Sequence, residues 1–304
     1  MSSRLLFLSA ADVDRALSMP AAITAVREAF IDLSGGRADV PVRTQMALAG
    51  DGGALFMPVH LPRQNRLGVK VVTVIPENRE RDLPTIQALV AVFDAETGRP
   101  QAVMDGELLT AMRTGAASGV ATDALARKNA ATAAVIGAGV QGMRQLEAVC
   151  CVRTIREALV FDAVRERAEA FATEMGRRLG RTVRVLDKAS GVFAADIVCT
   201  ATSSGQPVVA DADLARGVHV NAIGTYRPDT REIPAKAVAR ATIFVDSIGN
   251  CSLAVTVTTS KSSRTKRIDG VTWCWTKASR WDSAHSTTAR SITLGRWLRR
   301  WHIT

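Results

Sequence analysis

Residues 131–149 read ATAAVIGAGVQGMRQLEAV, and this stretch decides the fold. An apolar strand at 133–136 runs straight into Gly137-Ala138-Gly139-Val140-Gln141-Gly142, and a helical pattern follows at once. A G-x-G-x-x-G pattern alone is weak; between a strand and a helix it predicts the first turn of a dinucleotide-binding unit. Gly137 permits the tight turn, Gly139 lets a pyrophosphate approach the backbone, and Gly142 lets helix and strand pack closely while the helix amino terminus faces the phosphates. Val140 and Gln141 complete the loop expected against the cofactor. The next strand, EALVFD, ends at Asp162, twenty residues after Gly142. A carboxylate there accepts hydrogen bonds from the adenosine ribose and repels a 2′-phosphate, so NAD is expected, with NADP as the alternative. The other reading is a glycine turn in an α/β fold that holds no cofactor.

Toward the carboxyl end the alternation continues through VRVL, a helix over 188–195, DIVCTATSS, GVHVNAIG, a helix over 235–240 and TIFVD. These apolar runs are short and unbroken, as expected of parallel strands buried on both faces. Open α/β sheets bind ligands at the carboxyl ends of their strands. Thr202, Asn221, Ile223 and Gly224 are therefore further candidate cofactor contacts, although each residue type taken singly is more often a turn or cap.

Toward the amino end, Ser9 and Asp12 form a capping-box-like helix start, and Pro20 opens a second helix that Gly35-Gly36 stops. The runs VRTQMAL, GALFMPV, LGVKVVTVI and IQALVAVFD read as strands, and DAETGRP turns the last of them back as PQAVMD in a hairpin. A long helix from Gly106 carries the small residues Gly115 to Gly119, which admit the close approach of another backbone or a ligand. The expected organisation is an α/β chain. An α+β substrate and dimerisation domain occupies 1–115, and a Rossmann-type, doubly wound cofactor domain 116–247; an anomalous tail fills 248–304.

The tail stands apart by composition. The whole chain has 304 residues, 47% apolar and 22% charged, with net charge +10. Residues 248–304 hold ten Lys+Arg against Asp269 and Asp282, a net of +8, which leaves 29 basic against 27 acidic, or +2, for the rest. All five tryptophans lie in the tail, and no glutamate does. A change of reading frame near codon 247 would produce such a break. The alternative is a natural basic extension whose Lys/Arg and Trp meet nucleic acid, a role resting on the tail alone and not favoured. No run is apolar and long enough to cross a membrane, and the amino-terminal apolar stretch is too short for a signal peptide, so a cytoplasmic location is expected. The five cysteines show no C-x-x-C spacing and read as reduced core residues. The four histidines are too scattered for metal ligation, and no metal is expected.

The stretch GVKVVTVIPENRERDLPTIQALVAVFDAETGRPQAVMDGELLTAMRTGAASGVATDALARK, followed by GAGVQG and NAIGTYRPDTREI, resembles the ornithine cyclodeaminase/mu-crystallin family. The likeness covers Phe7 to Asp246. It implies chemistry at the Cα–N bond of a small amino or imino acid with a nicotinamide cofactor, and a homodimer. It further implies that Arg43, Lys70 and Arg113 hold the substrate carboxylate and assist proton movement, with Thr85 near the cofactor.

Lys70 attracts attention without the family. Both faces of Val69-Lys70-Val71-Val72-Thr73-Val74-Ile75 are mostly apolar, so the lysine is poorly solvated unless it points into a polar cleft, and desolvation lowers its pKa. The alternative is a lysine snorkelling from a sheet edge. For Arg113 the alternative is a structural salt bridge. Two arginines can hold one carboxylate and leave the lysine free for acid/base work.

Within the family, cyclodeaminases resemble one another in a segment NAVGGDCPG; here Tyr226 takes the place of its aspartate. Asp229, three residues on, is a second catalytic candidate, or else a helix cap. The expected activity is thus that of an NAD-dependent oxidoreductase, alanine dehydrogenase-like or cyclic ketimine reductase-like. The alternatives are ornithine cyclodeamination and a non-catalytic, mu-crystallin-like ligand-binding role.

Overall fold

The computed structural model describes residues 4–224, 230–245, 255–258, 266–268 and 271–273. Two sheets organise these residues. The first is assembled from β1 (Leu6–Leu8), β2 (Thr44–Ala47), β3 (Gly53–Leu61), β4 (Arg66–Val74), β5 (Ile86–Asp94) and β6 (Pro100–Asp105) in the order β1-β6-β5-β4-β3-β2. Helices α1 (Ala10–Ala16) and α2 (Met19–Ser34) lie between β1 and β2 in the chain. Ser9 caps α1 in a reciprocal box with Asp12, and Ser18 caps α2, which begins at Met19, one residue before the expected proline opening. The β5–β6 hairpin forms as expected, its turn held by the Asp94 carboxylate, which accepts from the Thr97 N–H at 2.8 Å and hydroxyl at 2.7 Å.

Helix α3 (Gly106–Leu125) then leads to the second sheet. Its strands are β7 (Thr132–Ile136), β8 (Glu157–Phe161), β9 (Val183–Val185), β10 (Ile197–Thr200), β11 (His219–Ala222), β12 (Thr242–Val245) and β13 (Val255–Thr258), with α4 (Val140–Val152), α5 (Arg165–Leu179) and α6 (Ala235–Ala239) between them. The order is β12-β13-β11-β10-β7-β8-β9, and β9, β8, β7, β10 and β11 are mutually parallel. Alternating residues feed two cores: Ala133, Val135, Ile197 and Cys199 join one, whereas Ala134, Ile136, Val198 and Val220 join the other. Both faces of the sheet are therefore covered, which explains the unbroken apolar runs. The helix expected over 188–195 is a 3-10 helix, Ala189–Ala194.

In the tail, Val255–Thr258 inserts antiparallel between β11 and β12. The V-T-V-T alternation of β-branched residues is the local reason. A further pair, β14 (Lys266–Ile268) and β15 (Val271–Trp273), is antiparallel.

Helix α3 connects the halves, and the division expected at 115/116 falls in its middle. Its small residues are packing contacts: a Cβ on Gly115 would lie 2.6 Å from the Arg144 carbonyl oxygen of α4, and one on Gly119 would press on Ile23 of α2. The far end is fastened by Arg153, whose buried guanidinium donates to the carbonyls of Thr122, Asp123, Ala126 and Arg127 in and just after the last turn of α3. The cysteine expectation is corrected at Cys151, which is exposed; Cys199 is buried, and all three described cysteines are free. Among the described residues no helix is long and apolar enough to cross a membrane.

Candidate active site

The glycine loop leaves β7 and enters α4. Gly137 has φ +102, a conformation side chains rarely adopt, and a Cβ there would lie 2.5 Å from the Ala201 carbonyl oxygen after β10. A Cβ on Gly142 would run into the Gly137 carbonyl oxygen, so this glycine permits the close crossing of helix and turn. At Gly139 a Cβ would meet nothing within 4 Å. The space beside its backbone, at the amino end of a 13-residue helix with no acid in its first turn, fits a dinucleotide pyrophosphate. Val140 projects from this edge, 61% exposed. The Gln141 Oε1 is buried with no hydrogen bond among the described residues.

Asp162 stands where β8 ends. Its carboxylate accepts from the Ala138 N–H at 2.8 Å and from the Val164 N–H at 2.9 Å, bracing the glycine loop from beside it. The strand order 3-2-1-4-5 of β9-β8-β7-β10-β11 reverses between β7 and β10, and doubly wound sheets take their ligands in the crevice outside that reversal.

Lys70 lies in the middle of the first sheet. The register aligns Leu8, Met104, Val90, Lys70 and Met57 in one row across five strands, hence on one face. That face meets the first half of α3, and a cleft of about 290 Å³ opens there, lined by Val40, Met57, Lys70, Leu109, Thr110 and Arg113, among others. The Lys70 Nζ donates to the Thr110 hydroxyl at 3.4 Å. Burial first, then the charges of Arg113 and Arg43, bring its pKa down to about 8. The alternative of a lysine snorkelling from an edge fails, because β4 is a central strand. Arg43 precedes β2 and is half-buried. The structure thus brings Lys70, Arg113 and Arg43 within electrostatic reach. It also sets α4 beside them, since Gly115, two residues after Arg113, touches α4.

Other expected residues are placed differently. Thr85 lies just before β5; its carbonyl accepts from the Ile75 N–H at 2.8 Å, bridging β4 to β5. The Asn221 amide is fully buried, donating to Thr122 Oγ1 at 3.0 Å and facing His219 Nε2 at 3.2 Å. Its side chain lies on the core face that meets α3, one residue out of phase with Val220 and Ala222. Thr202 is similarly committed, because its N–H and hydroxyl both donate to Glu232, each at 2.7 Å. The Ile223 N–H donates to the Thr200 carbonyl, and the Gly224 N–H to Glu232. Asp229 and Tyr226 lie outside the described residues.

Two buried groups were missed from sequence. Glu232, 1% exposed, sits between Arg231 and Ile233 and reads as a surface carboxylate. Gln145 is fully buried in α4, one turn beyond Gln141, with neither amide atom hydrogen-bonded among the described residues.

Comparison with known proteins places the chain among relatives. The Delta(1)-pyrroline-2-carboxylate reductase of Bacillus cereus (strain ZK / E33L) is 38% identical over 239 residues, 78% of this chain and 73% of that protein. The solved structure of Thermococcus litoralis Delta(1)-pyrroline-2-carboxylate reductase in complex with NADH and L-proline is 42% identical, covering 78% of this chain and 74% of that one with TM-score 0.74. An archaeal alanine dehydrogenase dimer with bound NAD is 34% identical, covering 82% and 77%, with TM-score 0.77. The pattern of the ornithine cyclodeaminase/mu-crystallin family matches residues 4–262. With the glycine loop, the lysine strand and the arginine of α3 arrayed in one chain over that span, the protein belongs to the ornithine cyclodeaminase/mu-crystallin family.

Proposed function

We propose that the chain is a cytoplasmic, NAD-dependent oxidoreductase that acts at the Cα–N bond of a small amino acid or its imine, with cyclic ketimines as the preferred substrates. The observation that carries this reading is the lysine with a pKa of about 8 beside Thr110 and Arg113 in a cleft of about 290 Å³. The likeness to reductases of Delta(1)-pyrroline-2-carboxylate and to alanine dehydrogenase supports it. A nicotinamide dinucleotide held here would supply hydride chemistry at Cα. Gly139 would admit its pyrophosphate on the turn that Gly137 and Gly142 make possible, and Asp162 would take the ribose hydroxyls and disfavour NADP.

Arg43 and Arg113 hold the substrate carboxylate through charge-assisted hydrogen bonds. Lys70 works on the nitrogen. Its ammonium gives a proton to the imine during reduction, and its neutral amine takes one from the substrate ammonium during oxidation. Arginine cannot exchange a proton near neutral pH, which leaves this role to the lysine.

A homodimer completes the reading. The outer face of the first sheet aligns Phe7, Val103, Ala91, Val69 and Pro58 in a row opposite to that of Lys70. Phe7 is 74% and Leu89 44% exposed, and an apolar face of this kind fits a second copy of the chain.

The test is turnover followed by NADH absorbance, with Delta(1)-pyrroline-2-carboxylate, its six-membered homologue, and pyruvate plus ammonia. Cyclic ketimines are expected to be reduced fastest. Because the proton donor is the lysine ammonium, kcat/KM for reduction should fall as pH rises through about 8. Lys70→Ala should lose about 10² or more in turnover, together with that limb, while NADH affinity stays. Absence of turnover in either direction with all of these substrates would leave the cyclodeamination and ligand-binding alternatives, and a fully active Lys70→Ala would remove the lysine from the mechanism.

A further inference from the structure

Glu232 lies below the carboxyl ends of β10 and β11, the half of the crevice opposite Asp162. Four donors converge on its carboxylate: Thr200 Oγ1 at 2.8 Å, and Thr202 N–H, Thr202 Oγ1 and Gly224 N–H, each at 2.7 Å. Thr200 ends β10, Thr202 opens the loop after it, and Gly224 lies in the loop after β11. Glu232 also holds the far end of the first loop, because its carbonyl accepts from the Val208 N–H at 2.9 Å. Between these anchors the loop ties itself down in steps: the Ser204 N–H donates to Thr202 Oγ1 at 3.2 Å, and the Gln206 N–H to Ser204 Oγ at 3.2 Å.

This loop forms one wall of the glycine turn, since Ala201 and Thr202 are what a Cβ on Gly137 would strike. On the other side, a Cβ on Gly224 would strike the Thr202 carbonyl oxygen and the Glu232 carboxylate. The two loops therefore touch each other through Glu232 with no room for an added carbon. In a doubly wound sheet a dinucleotide spans the strand ends; with its adenosine toward Asp162, just after β8, its nicotinamide half would lie over β10 and β11.

We propose that Glu232 is the positioning residue for the nicotinamide half of the cofactor: its carboxylate clasps the loops after β10 and β11 together and so fixes the floor on which that half rests. The role rests on the cofactor reading above and adds to it a residue that touches neither substrate nor hydride. A carboxylate suits the task because it is purely an acceptor, with lone pairs for all four donors. A glutamine of the same shape has one acceptor oxygen and an amide group that would meet donors.

The test compares NADH with ADP-ribose, which lacks the nicotinamide, in titrations of the full chain. Glu232→Gln should weaken NADH binding tenfold or more and ADP-ribose binding less than threefold, with KM for NADH rising more than kcat falls. Glu232→Asp, which keeps the carboxylate on a shorter arm, should recover part of the NADH affinity. If a folded Glu232→Gln binds both ligands as the parent does, or loses both equally, the positioning role is wrong while the cofactor reading stands. If the parent binds neither ligand, both fall. Should Glu232→Gln fail to fold, Thr202→Val removes one donor without touching the carboxylate; it should weaken NADH threefold or more and spare ADP-ribose, and unchanged NADH binding would overturn the role.

Discussion

The two sheets differ in how far one chain satisfies them. All residues of β10 and β11 are buried, and Val135 and Val198 have no exposed surface. In the first sheet every residue of β2 is exposed, and Phe7, Met46, Ile86 and Leu89 stand between 44% and 74% exposed. The cofactor half builds its core from alternating strands and helices of its own. The substrate half covers only the Lys70 face, with α3, and leaves the other apolar. The lesson is that Lys70, the residue proposed above to move the proton, sits in the less self-sufficient half, the one whose open face the proposed homodimer would cover.

The largest effect that would break this contrast comes from charging the open face. Phe7→Lys with Leu89→Lys removes two apolar anchors at about 2 kcal/mol each and should weaken dimerisation roughly thousandfold in sedimentation equilibrium. An unchanged dimer would mean that the face is covered by something other than a second copy.

A somewhat smaller effect belongs to the self-sufficient half. His219 is fully buried, and burial pushes its pKa down to about 4, against the favourable contact with Asn221. It stays neutral in the folded protein while the unfolded chain takes up a proton near pH 6.5, so its stabilising contribution is complete above about 6.5. That contribution is lost as pH falls toward 4, by about 3 kcal/mol in all. Urea midpoints should show this loss across that window, and His219→Gln should flatten it. A parent whose stability is level from pH 6.5 to 4 would contradict the assignment.

The smallest effects sharpen the comparison within one loop. Gly142→Ala forces a methyl into the Gly137 carbonyl and should cost about 1–3 kcal/mol, read as a lower Tm. Gly139→Ala meets open space and should leave stability within about 0.5 kcal/mol, while NADH affinity drops because the methyl occupies the pyrophosphate's place. Equal losses of Tm in the two variants would show that the opening at Gly139 is not a ligand space.

Much of this was legible in sequence because it is local. The glycine loop, the Ser9 box and the β5–β6 turn are each decided by residues within a few positions of one another. What escaped depended on partners far along the chain or on parity. Asn221 lies at a strand end, as a cofactor ligand would, but which face it takes depends on a single-residue phase that an apolar sheet of two buried faces does not reveal. Glu232 resembles any charged residue between an arginine and an isoleucine until the folded chain brings Thr200, Thr202 and Gly224 to it. Strand β13 was hidden by the bulk composition of the tail, although its four residues alternate as a strand should.

Helix α3 gives the molecule a fixed gauge. Its 20 residues span about 30 Å as one unbroken rod, with Thr110 and Arg113 at the substrate cleft near one end and Thr122 and Asp123 bonded to the cofactor half near the other. Adding or deleting one residue between these stations would rotate one end against the other by about 100°. Arg113 would then swing out of the cleft while Thr122 still held Asn221. The count of residues between Arg113 and Thr122 therefore sets how the cleft at the first sheet is turned toward the second sheet.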